Sequence, residues 1–171
     1  MGERLAYYER RNKAIREPKN FLSIIADGMA QNHCVLPWMA NLKTFKEVLP
    51  QHLQGVTLHG RRQFIYRTFH NIKNGSNLAA HCFLLSLEHV IRKEDKLPDT
   101  IYHPIDGGSE NVAKMFLGIC ELLIIKRMTL KIVLSRIGVG HNHEDQDSRF
   151  AQLWRRIRDN HVQKLRAYMK N

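Results

Sequence analysis

The sequence predicts an α/β fold in which a mixed five-stranded sheet is flanked by helices. Five short runs rich in β-branched and aromatic residues indicate strands, and between them apolar residues recur at helical spacing. Gly, Pro and Asp mark the ends of many of these segments, as they do at turns. The length of 171 residues fits one ordinary domain that is long enough to bury a core.

In the first half of the chain, the pattern predicts a helix over residues 3–16 and a strand over 21–27. A polar loop and a short helix around residues 43–48 follow. Residues 55–60 and 63–69 then read as two strands of a hairpin, because both are rich in β-branched and aromatic side chains and meet at a Gly-Arg-Arg turn.

In the second half, apolar residues between 78 and 91 have helical spacing, and residues 100–106 form the next strand. Ser109 can cap another helix. A strand over 130–137 and a last helix over about 145–168 complete the chain. The order of three strands, helix, strand, helix, strand and helix matches a ribonuclease-H-like core, in which the first and fourth strands are neighbours. We therefore expect residues 1–20 to be an N-terminal helical extension and 21–171 a ribonuclease-H-like catalytic-core domain.

The composition favours a polyanionic partner. Lys and Arg number 27 against 16 Asp and Glu, which gives a formal net charge of +11 and indicates nucleic acid or an anionic membrane surface. The sequence has no apolar run long enough to span a membrane and no signal-peptide pattern. Three scattered cysteines suit a reducing compartment and core packing. We expect a soluble intracellular protein.

Two strands end in a carboxylate. Asp27 ends the first strand, and Asp106 ends the fourth, 79 residues later. A lone Asp-Gly after a strand is more often a turn than a ligand. If the two strands are adjacent, however, the two acids converge.

A third group of polar residues, 140–147, lies between the last strand and the last helix. It contains His141, His143, Glu144, Asp145 and Asp147. If the core face of the last helix is the one that carries Phe150, the spacing places His143 and Asp147 on its continuation, Glu144 at its edge and Asp145 away from it. Asp147 and Glu144 are therefore preferred over Asp145 as the third acid, and the two histidines are further catalytic candidates that could instead cap the helix.

Convergent carboxylates of this kind hold two divalent metals that act on a phosphodiester. Oxygen ligands favour Mg²⁺ or Mn²⁺ over zinc. The predicted metal ligands are Asp27, Asp106, Glu144 and Asp147. The expected partner is DNA, without a membrane or a small-molecule cofactor, and a homo-oligomer stays open.

Four segments resemble a family of transposon-derived domains marked by D-G-M-D-Q, H-G, D-N-x-x-x-E-N-K-N and G-H-T-H-E-D-I-D. The matching residues are 27–31, 59–60, 106–114 and 140–147, and the resemblance covers residues 21 to about 165. It implies a ribonuclease-H-like DDE/D transposase or integrase core, in which Asp27, Asp106 and an acid of the last motif bind metal. It also implies a nuclear protein.

Two other interpretations stay open. The first is a catalytically dead derivative, a fragment or an inactive remnant, that only binds DNA or protein. It is favoured by Ala30 in place of an acid, Gly107 in place of an amide and Val112-Ala113 in place of a Lys-Asn pair. The second takes His141-Asn142-His143-Glu144-Asp145 as the metal motif of a metallo-β-lactamase-like hydrolase, which would need more strands and more histidines downstream.

Overall fold

The computed structural model describes residues 2–29, 34, 49–106, 110–137 and 144–159. The elements follow one another as α1 (Gly2–Arg16), β1 (Phe21–Gly28), β2 (Gln51–Leu58), β3 (Arg62–Phe69), α2 (Ser76–Glu94), β4 (Thr100–Asp106), α3 (Glu110–Ile125), β5 (Lys131–Ile137) and α4 (Glu144–Asp159). The short helix expected at 43–48, the Ser109 cap and the last helix beyond Asp159 lie outside the described residues. Within the described part of the chain, no helix is long and apolar enough to cross a membrane.

The five strands form one mixed sheet in the order β3-β2-β1-β4-β5. β1 is parallel to β4, and β4 is parallel to β5, whereas β2 runs antiparallel to both β1 and β3. The predicted α/β fold is confirmed, and with it the adjacency of the first and fourth strands. The arrangement is compatible with a ribonuclease-H-like core.

One face of the sheet is covered by α2 and α3. Leu22, Ile24 and Ile101 from the central strands are fully buried there and belong to one apolar cluster with Phe83 of α2 and Phe116 of α3. The alternation of side chains along β1 puts the even-numbered residues on this face. We call it the α2/α3 face.

His103 lies inside the α2/α3 core. Its ring centroid is 4.8 Å from that of Phe83 and 5.0 Å from that of Phe116. Nδ1 lies 3.3 Å from the carbonyl oxygen of Ile24. Desolvation by burial lowers the pKa of His103 from 6.5 to about 4, although the hydrogen bond to Ile24 opposes this change. His103 is therefore neutral at physiological pH.

The opposite face, which we call the α1/α4 face, carries the odd-numbered residues of β1. There the buried imidazole of His59 connects α1 to the sheet. Nδ1 lies 3.0 Å from Ser23 Oγ of β1, and Nε2 lies 3.2 Å from Tyr7 Oη of α1. Since both ring nitrogens have partners and the ring is 5% exposed, His59 is a structural histidine, as expected from the sequence.

The turn between β2 and β3 approaches α1 closely at Gly60. Gly60 has a φ of +74°, and a Cβ atom at this position would lie 3.1 Å from Cα of Ile15. Only glycine adopts this backbone conformation without strain. The close approach of the turn to α1 therefore depends on the absence of a side chain.

Arg61, next in the same turn, is held by structural contacts. Its Nε lies 2.7 Å from Glu94 Oε1 at the end of α2, and Nη2 lies 3.0 Å from Oε2. Its guanidinium also donates to the carbonyl oxygens of Pro18 and Phe21. The hydrogen bond from Arg61 is the main cause that lowers the pKa of Glu94.

We predict that Gly60→Ala lowers the free energy of unfolding by about 1–2 kcal/mol or more, because it adds left-handed strain to a contact with the α1 backbone. Gly75→Ala is the matched control, since a Cβ atom there meets nothing within 4 Å. Urea unfolding of both variants measures the difference. Equal stabilities of the two variants would contradict the role of Gly60.

The burial of His103 predicts a loss of stability in mild acid. Above pH 6.5 the imidazole is neutral in both the folded and the unfolded chain. As pH falls from 6.5 towards about 4, the unfolded chain binds a proton that the folded protein excludes. This proton lowers the free energy of unfolding by up to about 1.4 kcal/mol per pH unit. His103→Leu should remove that contribution, which unfolding curves at pH 7, 6 and 5 measure; an unchanged pH dependence would refute it.

Candidate functional site

Asp27 and Asp106 lie at the same edge of the sheet. β1 pairs with β4 in a register that joins Phe21 to Thr100, an offset of 79 residues (100 − 21). The Ile24–His103 contact keeps the same offset one residue beyond the last paired residues. Continued to the strand ends, this offset aligns Asp27 with Asp106, which are also 79 residues apart. The predicted convergence of the two strand ends therefore agrees with the register.

The register and the alternation of side chains also determine the face. Asp27 follows Ser23 at four residues and belongs to the α1/α4 face. Ser23 pairs with Tyr102, so residue 106 falls on the same face by alternation along β4. In a parallel pair, aligned residues share a face. Both acidic positions thus belong to the α1/α4 face, away from the apolar core under α2 and α3.

The carboxylate of Asp27 is half-buried. Its Oδ1 accepts a hydrogen bond of 2.8 Å from the backbone N–H of Gly28. Its cross-strand partner in β2 is the buried Gly55, which has no side chain and leaves room beside the carboxylate. A hydrogen-bonded, partly shielded carboxylate on an open strand end is well suited to bind a cation.

Helix α4 packs over the same end of the sheet. Phe150 is buried in a cluster with Met29 and Leu53, and Leu153 and Trp154 pack against it. The predicted core face of the last helix is thereby confirmed. Met29 lies two residues beyond Asp27, and its N–H donates to the carbonyl of Leu53 at 2.8 Å.

The acids of the last motif lie at the start of α4. Glu144 is the first residue of the helix, and Asp147 is exposed in its first turn, three residues before Phe150. The backbone thus brings this turn to the face and the sheet end that carry Asp27. His141 and His143 lie outside the described residues, and Asp106 and Glu144 are described by their backbone alone. Among the side chains that are described, no three His, Cys, Asp or Glu residues form a metal-binding group.

Two other chemistries are not favoured by the described residues. Cys34, Cys82 and Cys120 are buried and free, and desolvation raises the pKa of each thiol to about 11. Such thiols are protonated at neutral pH and are poor nucleophiles. The described strands form a single five-stranded sheet, whereas the metallo-β-lactamase-like interpretation required additional strands.

The structure also brings together basic residues that the sequence does not connect. Arg11 of α1, Arg62 at the start of β3 and Arg149 of α4 line one groove on the α1/α4 face. They are separated by about 50 and 90 residues in the chain, so no local pattern relates them. The run Arg155-Arg156-Arg158, which dominates the sequence, is not part of the described lining.

Comparison with known proteins identifies a family without a described activity. Residues 42–171 match the family described as Domain of unknown function (DUF7869). The match covers β2 to the end of the chain and so includes Asp106 and the motif at 140–147, whereas Asp27 lies before it. No curated protein matches the chain.

The site predicts metal-dependent stabilisation. Mn²⁺ should raise the Tm of the metal-free protein, because a ligand that binds only the folded state adds RT ln(1 + [L]/Kd), about 1.4 kcal/mol at ten times Kd. Asp27→Asn should abolish this increase. The control is Asp99→Asn, which makes the same charge change at an exposed position beside the opposite end of β4. If Mn²⁺ raises the Tm of Asp27→Asn as much as that of Asp99→Asn, Asp27 is not a ligand.

Proposed function

The chain belongs to the DUF7869 family, and on that premise we propose that it is the core of a metal-dependent enzyme that cleaves or transfers phosphodiester bonds of DNA. The observation that carries the proposal is the parallel register of β1 and β4, which aligns Asp27 with Asp106. The acidic start of α4 lies over the same sheet end. Three elements distant in sequence thus contribute carboxylates to one region.

The donor set fits Mg²⁺ or Mn²⁺, because carboxylate oxygens and an accessible strand end suit hard cations. Two such ions, when bound, activate water or a 3′-hydroxyl and stabilise the leaving oxygen of the phosphodiester. Asp27 and Asp106 would hold ions from the sheet, and Glu144 or Asp147 would complete the set from α4. His141 and His143 are candidates for proton transfer or for helix capping beside the acids.

The charge of the chain supports a nucleic-acid substrate. A formal net charge of +11 attracts polyanions and raises their local concentration. Lys and Arg side chains that neutralise phosphates supply most of the affinity that does not depend on sequence. We therefore propose DNA as the substrate and the nucleus as the location.

The origin we propose is a transposable element. Its support is the resemblance of residues 27–31, 59–60, 106–114 and 140–147 to motifs of transposon-derived domains. The fold adds a physical reason for two of these motifs, since the His59-Gly60 pair holds the β2–β3 turn against α1. The Asp27 and Asp106 motifs begin at aligned strand ends.

A second candidate function is DNA binding without cleavage. It is favoured by the motif departures at Ala30, Gly107 and Val112-Ala113, which change residues directly beside the proposed metal ligands. The two candidates differ in one respect that can be measured, because only the enzyme needs intact carboxylates and a divalent metal.

The test is a nicking assay on supercoiled plasmid with Mg²⁺ or Mn²⁺. Asp106→Asn should reduce cleavage by at least about a hundredfold, since it removes a metal ligand, while DNA affinity stays equal or rises because a negative charge is lost. Asp99→Asn should cleave as the wild type does. Unchanged cleavage by Asp106→Asn would contradict the enzyme, and a wild type that binds DNA but never cleaves would establish the second candidate.

A further inference from the structure

A groove on the α1/α4 face runs between α1, the β2–β3 turn and α4. Its volume is about 520 Å³, within the range of roughly 300–1,000 Å³ that is typical of pockets for molecules the size of a nucleotide. Arg11, Arg62 and Arg149 line it from three elements, and Gln63 and Gln152 add amide groups. We call it the arginine groove.

The charge of the arginine groove is one-sided. None of the described residues that line it is acidic. Arg61 also lines it, but Glu94 binds its guanidinium and holds it in the fold. Arg62 and Arg149, in contrast, are exposed. The groove therefore offers guanidinium groups to an anion from outside.

The arginine groove continues directly into the candidate metal site. Thr57 of its lining lies two residues from Gly55, the cross-strand partner of Asp27. Both belong to the α1/α4 face by alternation, about 7 Å apart along the strand. On the other wall, Arg149 follows Asp147 by two residues in α4. A strand lying in the groove would thus pass next to the acids.

We propose that the arginine groove binds the sugar–phosphate backbone of the single nucleic-acid strand that leads to the candidate metal site. Guanidinium groups bind phosphates in a bidentate geometry that ammonium groups do not match. The described lining has no Phe, Tyr or Trp on which a base could stack, so the groove recognises phosphates and not bases. Binding is therefore independent of sequence and strongly dependent on salt.

The inference rests on the proposed function for its substrate, but it is tested without cleavage. The binding of a fluorescent single-stranded 20-mer of mixed sequence is followed by polarisation in EDTA, at several salt concentrations. Arg62→Ala/Arg149→Ala should weaken binding about tenfold or more. It should also flatten the slope of log K against log [salt] by about 1.4, since each lost phosphate contact contributes about 0.7 on a single strand.

Two control variants match the charge change. Arg92→Ala/Lys93→Ala removes two exposed cations from the last turn of α2, on the other side of the sheet, and should leave the salt slope near that of the wild type. Arg62→Lys/Arg149→Lys keeps the charge and should keep the slope, with weaker binding because bidentate contacts are lost. Circular dichroism of each variant reports whether the fold is retained.

The proposal is overturned if the Arg62/Arg149 alanine variant binds as the wild type does, or if the Arg92/Lys93 variant loses as much. It is also overturned if the wild type does not bind the oligonucleotide, or if vesicles containing phosphatidylserine bind and displace the oligonucleotide from Arg62 and Arg149. Because EDTA prevents metal-dependent cleavage, a failure here leaves the nicking assay intact. Conversely, binding that depends on these arginines in a protein that never cleaves would retain the groove and reject the enzyme.

Discussion

The parallel pairing of β1 with β4 is the constraint on which the rest of the structure depends. The offset of 79 residues places Leu22 beside Ile101, and both are fully buried under α2 and α3. A slip of one residue would turn these side chains to the other face and would expose them. The same register aligns Asp27 with Asp106. The hydrophobic core thus determines where the two acids lie, and burial of apolar side chains is the force that assembles the candidate site.

The α1/α4 face is built differently, from polar contacts and close backbone approach. His59 connects Ser23 of the sheet to Tyr7 of α1, and Gly60 lets the β2–β3 turn approach Ile15. Arg61 ties the same turn to the end of α2. With the turn held in place, Arg62 faces the groove. Three consecutive residues, 59–61, therefore have structural roles, and the functional arginine we infer is the next one.

Much of the fold could be predicted because its signals are local. The run Thr100–Asp106 and the apolar spacing of α2 each fix an element by periodicity. The start of β2 was placed at Gly55, but the strand begins at Gln51, whose polar character hides a strand that pairs on both sides. The site was predictable as far as its acids follow strands. The arginine groove was not, because only the tertiary packing of α1, the turn and α4 brings its residues together.

The most direct test of the central claim is the position of the metal. Crystals of the protein grown with Mn²⁺ give an anomalous signal that locates the ion. The register of β1 and β4 predicts Mn²⁺ at coordination distance, about 2 Å, from the carboxylates of Asp27 and Asp106, with an acid from the start of α4 nearby. An ion bound elsewhere, or carboxylates of Asp27 and Asp106 on opposite sides of the sheet, would contradict the account.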